Sequence, residues 1–262
     1  MKYKLLAIFV MGALGCAAAF AAEDDYSYLA AGFDYSTGKY GTDTTTDILS
    51  IPVVGIYQTG LWIFRLTVPY IWVTGDGTVV PGIGGGVPGK GGSGSKGSAR
   101  ATQSGLGDVI AAATYNIYTG SENTLGVDLT GKVKFGTANA NSNLGTGEND
   151  YAAQIDVYKK LDRLTATGSL GYQVLGDPPG YDLNNASYGK LGGYYQFTDQ
   201  TGGGAEFRFS QKLFPTGEGP RELTVYVTHR FDERMRVSGY ILEGFSDGSP
   251  DGGFGVLVTF DL

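Results

Sequence analysis

Apolar and polar residues alternate along this chain with a period of two over runs of about ten residues, as in strands with one greasy and one wet face. The clearest run spans residues 125–135. Leu125, Val127, Leu129, Val133 and Phe135 share one face with Gly131, and Asp128, Thr130, Lys132 and Lys134 share the other. Over residues 62–72, Trp62, Phe64, Leu66, Val68, Tyr70 and Trp72 oppose Arg65, Thr67 and Pro69. Ten residues at ~3.4 Å rise, tilted by ~40°, span about 26 Å, close to the ~25 Å apolar band of an outer-membrane barrel. A single such run also suits a sandwich strand facing a core; its repetition along the chain favours the barrel.

Further runs have their apolar faces at Leu29, Ala31, Phe33 and Tyr35; at Leu49, Ile51, Val53 and Tyr57; at Val109 to Ile117; at Tyr151 to Val157; and at Leu164 to Val174. Weaker ones follow at Leu191 to Phe197, Ala205 to Phe209, Leu223 to Phe231 and Met235 to Ile241, and the chain closes on Phe254, Val256, Val258, Phe260 and Leu262. The count is about twelve, an even number as single-chain bacterial barrels require. Connections alternate in length. Short ones lie near 58–60, 119–123, 160–163, 199–202 and 232–234, and longer ones near 38–47, 75–104, 137–149, 177–186, 215–220 and 246–252. Short periplasmic turns and long outer loops have this parity, which puts both termini on the periplasmic side. The pattern therefore predicts an all-β fold, a closed antiparallel up-and-down transmembrane β-barrel of about 12 strands over residues 22–262, with a long extracellular loop at about 75–104. Pro52 and Pro69 cannot donate to a ladder and are expected at bulges.

Residues 1–21 read as a secretory signal: Lys2 and Lys4, an apolar stretch over 5–14, and the cleavage motif Ala19-Phe20-Ala21, with cleavage after Ala21. The apolar stretch is shorter than the ~20 residues of a spanning helix. A lipoprotein signal around Cys16 would need leucine three positions earlier, where Ala13 stands. Cys16 is the sole cysteine, so the exported chain has none for a disulfide or a thiol metal site. The 44 glycines and 18 tyrosines suit crowded β-structure, and a net charge of −7 argues against nucleic acid as a partner. Mean hydropathy of −0.08 does not oppose a barrel, whose apolar residues come every second position.

Candidate chemistry is sparse. Gly84, Gly89 and Lys90 fit a phosphate-loop spacing, but Gly91 stands where Ser or Thr would bind magnesium, and the Gly-Ser run after it begins no helix. The one histidine, His229, falls on the lipid-facing side near the periplasmic end; catalysis there would need a nucleophile or carboxylate beside it. Asp247 and Asp251 are a weak calcium candidate. No catalytic residue, cofactor or metal is assigned. The inner face carries the informative groups: Asp34, Arg65, Asp108, Asp128, Lys132, Lys134, Asp156, Lys190, Glu206, Arg208, Lys212, Glu222, Arg230 and Arg236 are candidate pore-lining residues. Alternatively they pair across the lumen and fill it.

Four segments, Val68-Pro69-Tyr70, Ser104-Gly105-Leu106-Gly107-Asp108, Leu170-Gly171-Tyr172 and Gly147-Glu148-Asn149-Asp150, resemble the outer-membrane transporters of the phenol-degradation (MetA-pathway) family over residues 49–209. Phe135-Gly136-Thr137 departs from that family, which often has Pro-Thr-Gly at this turn. The resemblance implies a barrel that admits hydrophobic or aromatic compounds, and carries over no binding residue. The expectation is a channel for passive passage of small solutes, partnered by outer-membrane lipid, its solute and, during biogenesis, the barrel-assembly machinery. A surface barrel with a filled lumen, or an outer-membrane hydrolase, remains the alternative.

Overall fold

The computed structural model describes residues 25–77, 79–82, 85–88 (backbone alone), 100–118, 125–178, 183–215 and 217–262, together with a short backbone ladder between Ala7–Ile8 and Ala17–Ala18. The signal segment with its cleavage site and Cys16, the Gly84, Gly89 and Lys90 motif, and the connection at 119–123 lie outside the described residues.

One antiparallel sheet makes up the fold, and it closes on itself. Its strands are β1 (Tyr26–Gly38), β2 (Thr46–Thr59), β3 (Trp62–Gly75), β4 (Ala101–Leu106 continuing as Val109–Tyr118), β5 (Leu125–Phe135), β6 (Asp150–Leu161), β7 (Leu164–Val174), β8 (Ala186–Gln196), β9 (Thr201–Ser210), β10 (Arg221–Arg230), β11 (Met235–Gly244) and β12 (Gly252–Asp261). Each pairs with its sequence neighbours, and β12 pairs with β1, so no edge is left open. The fold is thus an all-β, closed twelve-stranded antiparallel barrel. Tyr26 and Leu262 lie at the end of the barrel that carries the tight turns after Thr59, Leu161, Gln196 and Arg230, and the described parts of the longer connections lie at the other.

Alternation sets the faces. Leu129, Ile155, Leu170, Leu191, Val225 and Ile241 are all exposed, while Asp128, Lys132, Lys134, Asp156 and Lys190 are buried inside. Aromatic contacts mark both rims of the apolar band: Trp62 lies 4.8 Å from Tyr115 at the short-turn end, and Tyr70 lies 4.7 Å from Trp72 toward the loops. The abundance of Gly and Tyr has a direct cause. Inward tyrosines lie flat across glycines of the neighbouring strand: Tyr158 over Gly126, Tyr188 over Gly171 and Tyr240 over Gly255. A Cβ at any of these glycines would collide with the ring.

Three features differ from the pattern-based expectation. Residues 101–106, expected in the loop, extend β4 and pair with Tyr70–Gly75, because β3 runs on to Gly75, eight residues past Thr67, the partner of Ile110. Pro52 and Pro69 face each other across β2 and β3. On the Pro69 side the ladder to β4 shifts by one residue at Gly107–Asp108, the expected bulge; on the Pro52 side the pairing to β1 lapses at Gly32 and Phe33 and resumes in the same register, so a gap replaces the bulge. Finally, part of the long loop, residues 79–82, turns inward. Val79–Gly82 pairs with Gly85–Pro88, and Val79 and Val80, each 1% exposed, are buried among residues of the wall and of other loops.

Candidate functional site: the barrel lumen

A cavity of about 350 Å³ occupies the middle and loop-side part of the lumen. Two kinds of wall enclose it. Ile48, Pro52 and Val54 of β2 and Ile63, Pro69 and Ile71 of β3 form an apolar arc, with Pro81 and Gly82 of the infolded hairpin over it. Lys132 and Lys134 of β5, Lys190 of β8, Glu206 and Arg208 of β9 and Glu222 of β10 form a charged arc. Both follow from inward parity, but the strands of the apolar arc carry apolar residues on their two faces.

Most of the fourteen candidate residues face the interior. Asp34, Arg65, Asp108, Lys132, Lys134, Lys190, Glu206, Arg208 and Glu222 border the cavity. Asp128 and Asp156 lie opposite one another on β5 and β6, nearer the short turns; Asn116 donates to Asp128 at 2.7 Å, and Gln154 and Ser169 donate to Asp156. Arg230 and Arg236 pair in register at the short-turn end, where Arg230 donates to the Asp199 carbonyl at 3.0 Å. Lys212 is the exception: it lies beyond β9, exposed, its ammonium donating to the Pro215 carbonyl at 2.8 Å, because the strand ends at Ser210 and inward parity ends with it.

The charges are organised in pairs. Lys190 contacts Glu206 at 3.0 Å, and Arg208 contacts Glu222 at 3.2 Å. Tyr240 donates to Asp34 across β11, β12 and β1. At the loop end, Lys134 Nζ reaches Asp108 Oδ2 at 2.7 Å, Asp150 Oδ2 at 3.3 Å, Thr146 Oγ1 at 3.2 Å and the Glu148 carbonyl at 3.0 Å. Asp108 also accepts from the Ala138 N–H, and Asp150 from the Gly176 N–H. One buried ammonium therefore ties together the β4 bulge, the β5–β6 loop and the β7–β8 loop. Segments singled out in the sequence converge here: Gly107 donates to the Pro69 carbonyl at 2.9 Å, and Glu148 and Asp150 both hold Lys134. Nearby in the β1–β2 loop, Tyr40 is buried, which pushes its hydroxyl pKa well up, and it hydrogen bonds with Ser36.

Sequence reasoning missed the apolar arc and Asp150. The signal for the arc was present: Val53-Val54 and the run Ile63, Ile71 and Val73 break alternation by placing apolar residues on the inner face. Other candidates stay apart from the lumen. His229 sits on the outer face, its Nδ1 hydrogen bonded to Thr201 Oγ1 at 2.8 Å and its ring edge-on to Phe231. Among the described residues no group of three or more His, Cys, Asp or Glu side chains is arranged to hold a metal, at Asp247 and Asp251 or elsewhere.

No protein family matches the chain by sequence, and no curated protein does. Solved structures do match in shape. An outer-membrane channel of Pseudomonas putida F1 superposes with a TM-score of 0.69 at 12% identity, covering 93% of this chain and 98% of that one. The NanC porin gives 0.51 at 11% identity over 89% and 100%, and the β domain of the Bordetella autotransporter BrkA gives 0.52 at 13% identity over 91% and 100%. At such identities the likeness concerns architecture, and the chain has the fold of bacterial outer-membrane β-barrels.

Proposed function

We propose that the mature chain is a non-enzymatic outer-membrane channel through which small solutes pass down their gradient. The observation that carries this reading is the cavity, with an apolar wall facing a charged one inside a closed barrel. A lumen filled by paired side chains, as a purely structural or adhesive barrel would have, leaves no such space. The apolar arc and the resemblance of residues 104–108 to phenol-degradation transporters both support solutes with a hydrophobic or aromatic body. Arg65, Lys132 and the other interior charges set ionic preference, and the infolded part of residues 75–104 acts as the constriction. Export by the signal segment, cleavage after Ala21 and insertion by the barrel-assembly machinery complete the reading. His229 takes no part, since its hydrogen-bond partner is a threonine on the lipid side.

The test is reconstitution. The refolded barrel in planar bilayers gives discrete conductance steps, and liposomes carrying it swell in small aromatic solutes faster than empty ones. Silent bilayers together with unchanged swelling would reject passage.

A further inference from the structure

The cavity wall contains a guanidinium whose recognition edge is unused. Arg208 projects from β9 into the lumen, 9% exposed, and its Nη1 donates to Glu222 Oε2 at 3.2 Å. Its Nε and Nη2 are both buried and have no hydrogen-bond partner. These two nitrogens belong to one edge of the guanidinium. Their N–H bonds run parallel and form the fork that meets both oxygens of a carboxylate. Buried donors without acceptors are costly, and a wall that served only to fill the lumen gains nothing from them.

The surroundings sharpen the choice of ligand. Glu222 holds Nη1 and so fixes the plane of the fork. Lys190 stands directly opposite Arg208 in the β8–β9 register, its ammonium paired with Glu206 at 3.0 Å, so the unmatched fork rather than net charge selects the anion. Ile48, Ile63 and Ile71 border the same cavity on its other wall. A volume of about 350 Å³ sits at the small end of the ~300–1,000 Å³ typical of small-molecule sites.

We propose that Arg208 is the specificity-determining residue of a carboxylate subsite, and that the solute is a small monocarboxylate with a compact apolar or aromatic body. Both fork nitrogens are covered in the unliganded wall, so the Arg208 side chain turns toward the cavity on binding; the carboxylate then meets the Nε/Nη2 fork and the body lies toward the isoleucines. A neutral analogue of the same shape leaves the fork unmatched, and a dicarboxylate brings a second charge against an apolar wall. This inference rests on the channel reading above.

Benzoate and benzyl alcohol, which share a ring and differ in charge, are the probes. With the full barrel in bilayers and proteoliposomes at neutral pH, benzoate reduces the ion current at concentrations at least tenfold below those at which benzyl alcohol does. Arg208→Lys keeps the charge and removes the fork; it lowers the benzoate-to-benzyl-alcohol ratio, in current block and in uptake, by about tenfold or more. Heat-modifiable gel migration verifies that the variant barrel is folded. The wild-type comparison decides by itself if it is not. Equal block by the two probes in wild type, or an unchanged ratio in folded Arg208→Lys, overturns the carboxylate assignment. A wild-type barrel that passes neither ions nor solute overturns the channel reading instead.

Discussion

Lys134 offers the sharpest energetic test. Its side chain is 2% exposed and pairs with two carboxylates, Asp108 at 7% and Asp150 at 2% exposure. Lys134→Met preserves the stem and removes the charge, so Asp108 and Asp150 both lose this ammonium inside the barrel. Removing one partner of a buried ion pair costs roughly 3–5 kcal/mol, and here two acids lose the same cation while keeping the N–H donors of Ala138 and Gly176. Asp108→Asn is milder. Lys134 keeps Asp150, Thr146 and the Glu148 carbonyl, so the loss is that of one charge-assisted hydrogen bond, about 1.5–3 kcal/mol. Urea unfolding of the barrel in lipid vesicles, followed by Trp62 and Trp72 fluorescence and by heat-modifiable migration, measures both values. Because Asp108 also holds the Ala138 N–H, each variant should expose residues 136–149 to protease before the barrel itself opens. If Lys134→Met costs under about 1 kcal/mol, or no more than Asp108→Asn, the ammonium does not hold the three loop-end segments as described.

Other consequences are as direct. Leu129→Arg places a cation on the lipid face halfway along β5 and should destabilise the barrel by about 2–4 kcal/mol, whereas the same change at the terminal Leu262 should cost about 0–1 kcal/mol, both read by vesicle unfolding. Gly171→Val collides with the Tyr188 ring and should cost about 1–3 kcal/mol; Gly131→Val, with open space around it, serves as the control. Val79→Asp with Val80→Asp puts two carboxylates into the apolar clusters that seat the infolded hairpin, so single-channel conductance should rise; unchanged conductance would show that this segment does not restrict the pore.

How legible these features were depended on the range of the interaction. The faces of β5 were readable because alternation is local: Leu129 outward and Thr130 inward follow from parity alone. Loop parity was readable for the same reason, through turn spacing. The partners of the lumen charges were not. Tyr240 and Asp34 lie 206 residues apart and meet only because β12 closes on β1, and Asp150 joins Lys134 only through the β5–β6 register. Lys212 shows where parity fails, since it holds only while the strand continues. The apolar arc was masked by a different effect. Ile63 and Ile71 sit between outward aromatics in β3, and a search for a greasy outer face explains the aromatics without asking why Arg65 is the sole charge on the inner face of that strand.

Strands of a barrel that crosses a bilayer keep one face in lipid and the other in the lumen. Cys16 is the sole cysteine, so once it is replaced by alanine single cysteines can be placed at each position of Leu125–Phe135 and labelled with an environment-sensitive fluorophore. Quenching by spin-labelled lipid should be strong at positions 127, 129 and 133 and weak at 128, 130, 132 and 134. Equal quenching along the whole stretch, or none, would contradict a lipid-facing barrel wall.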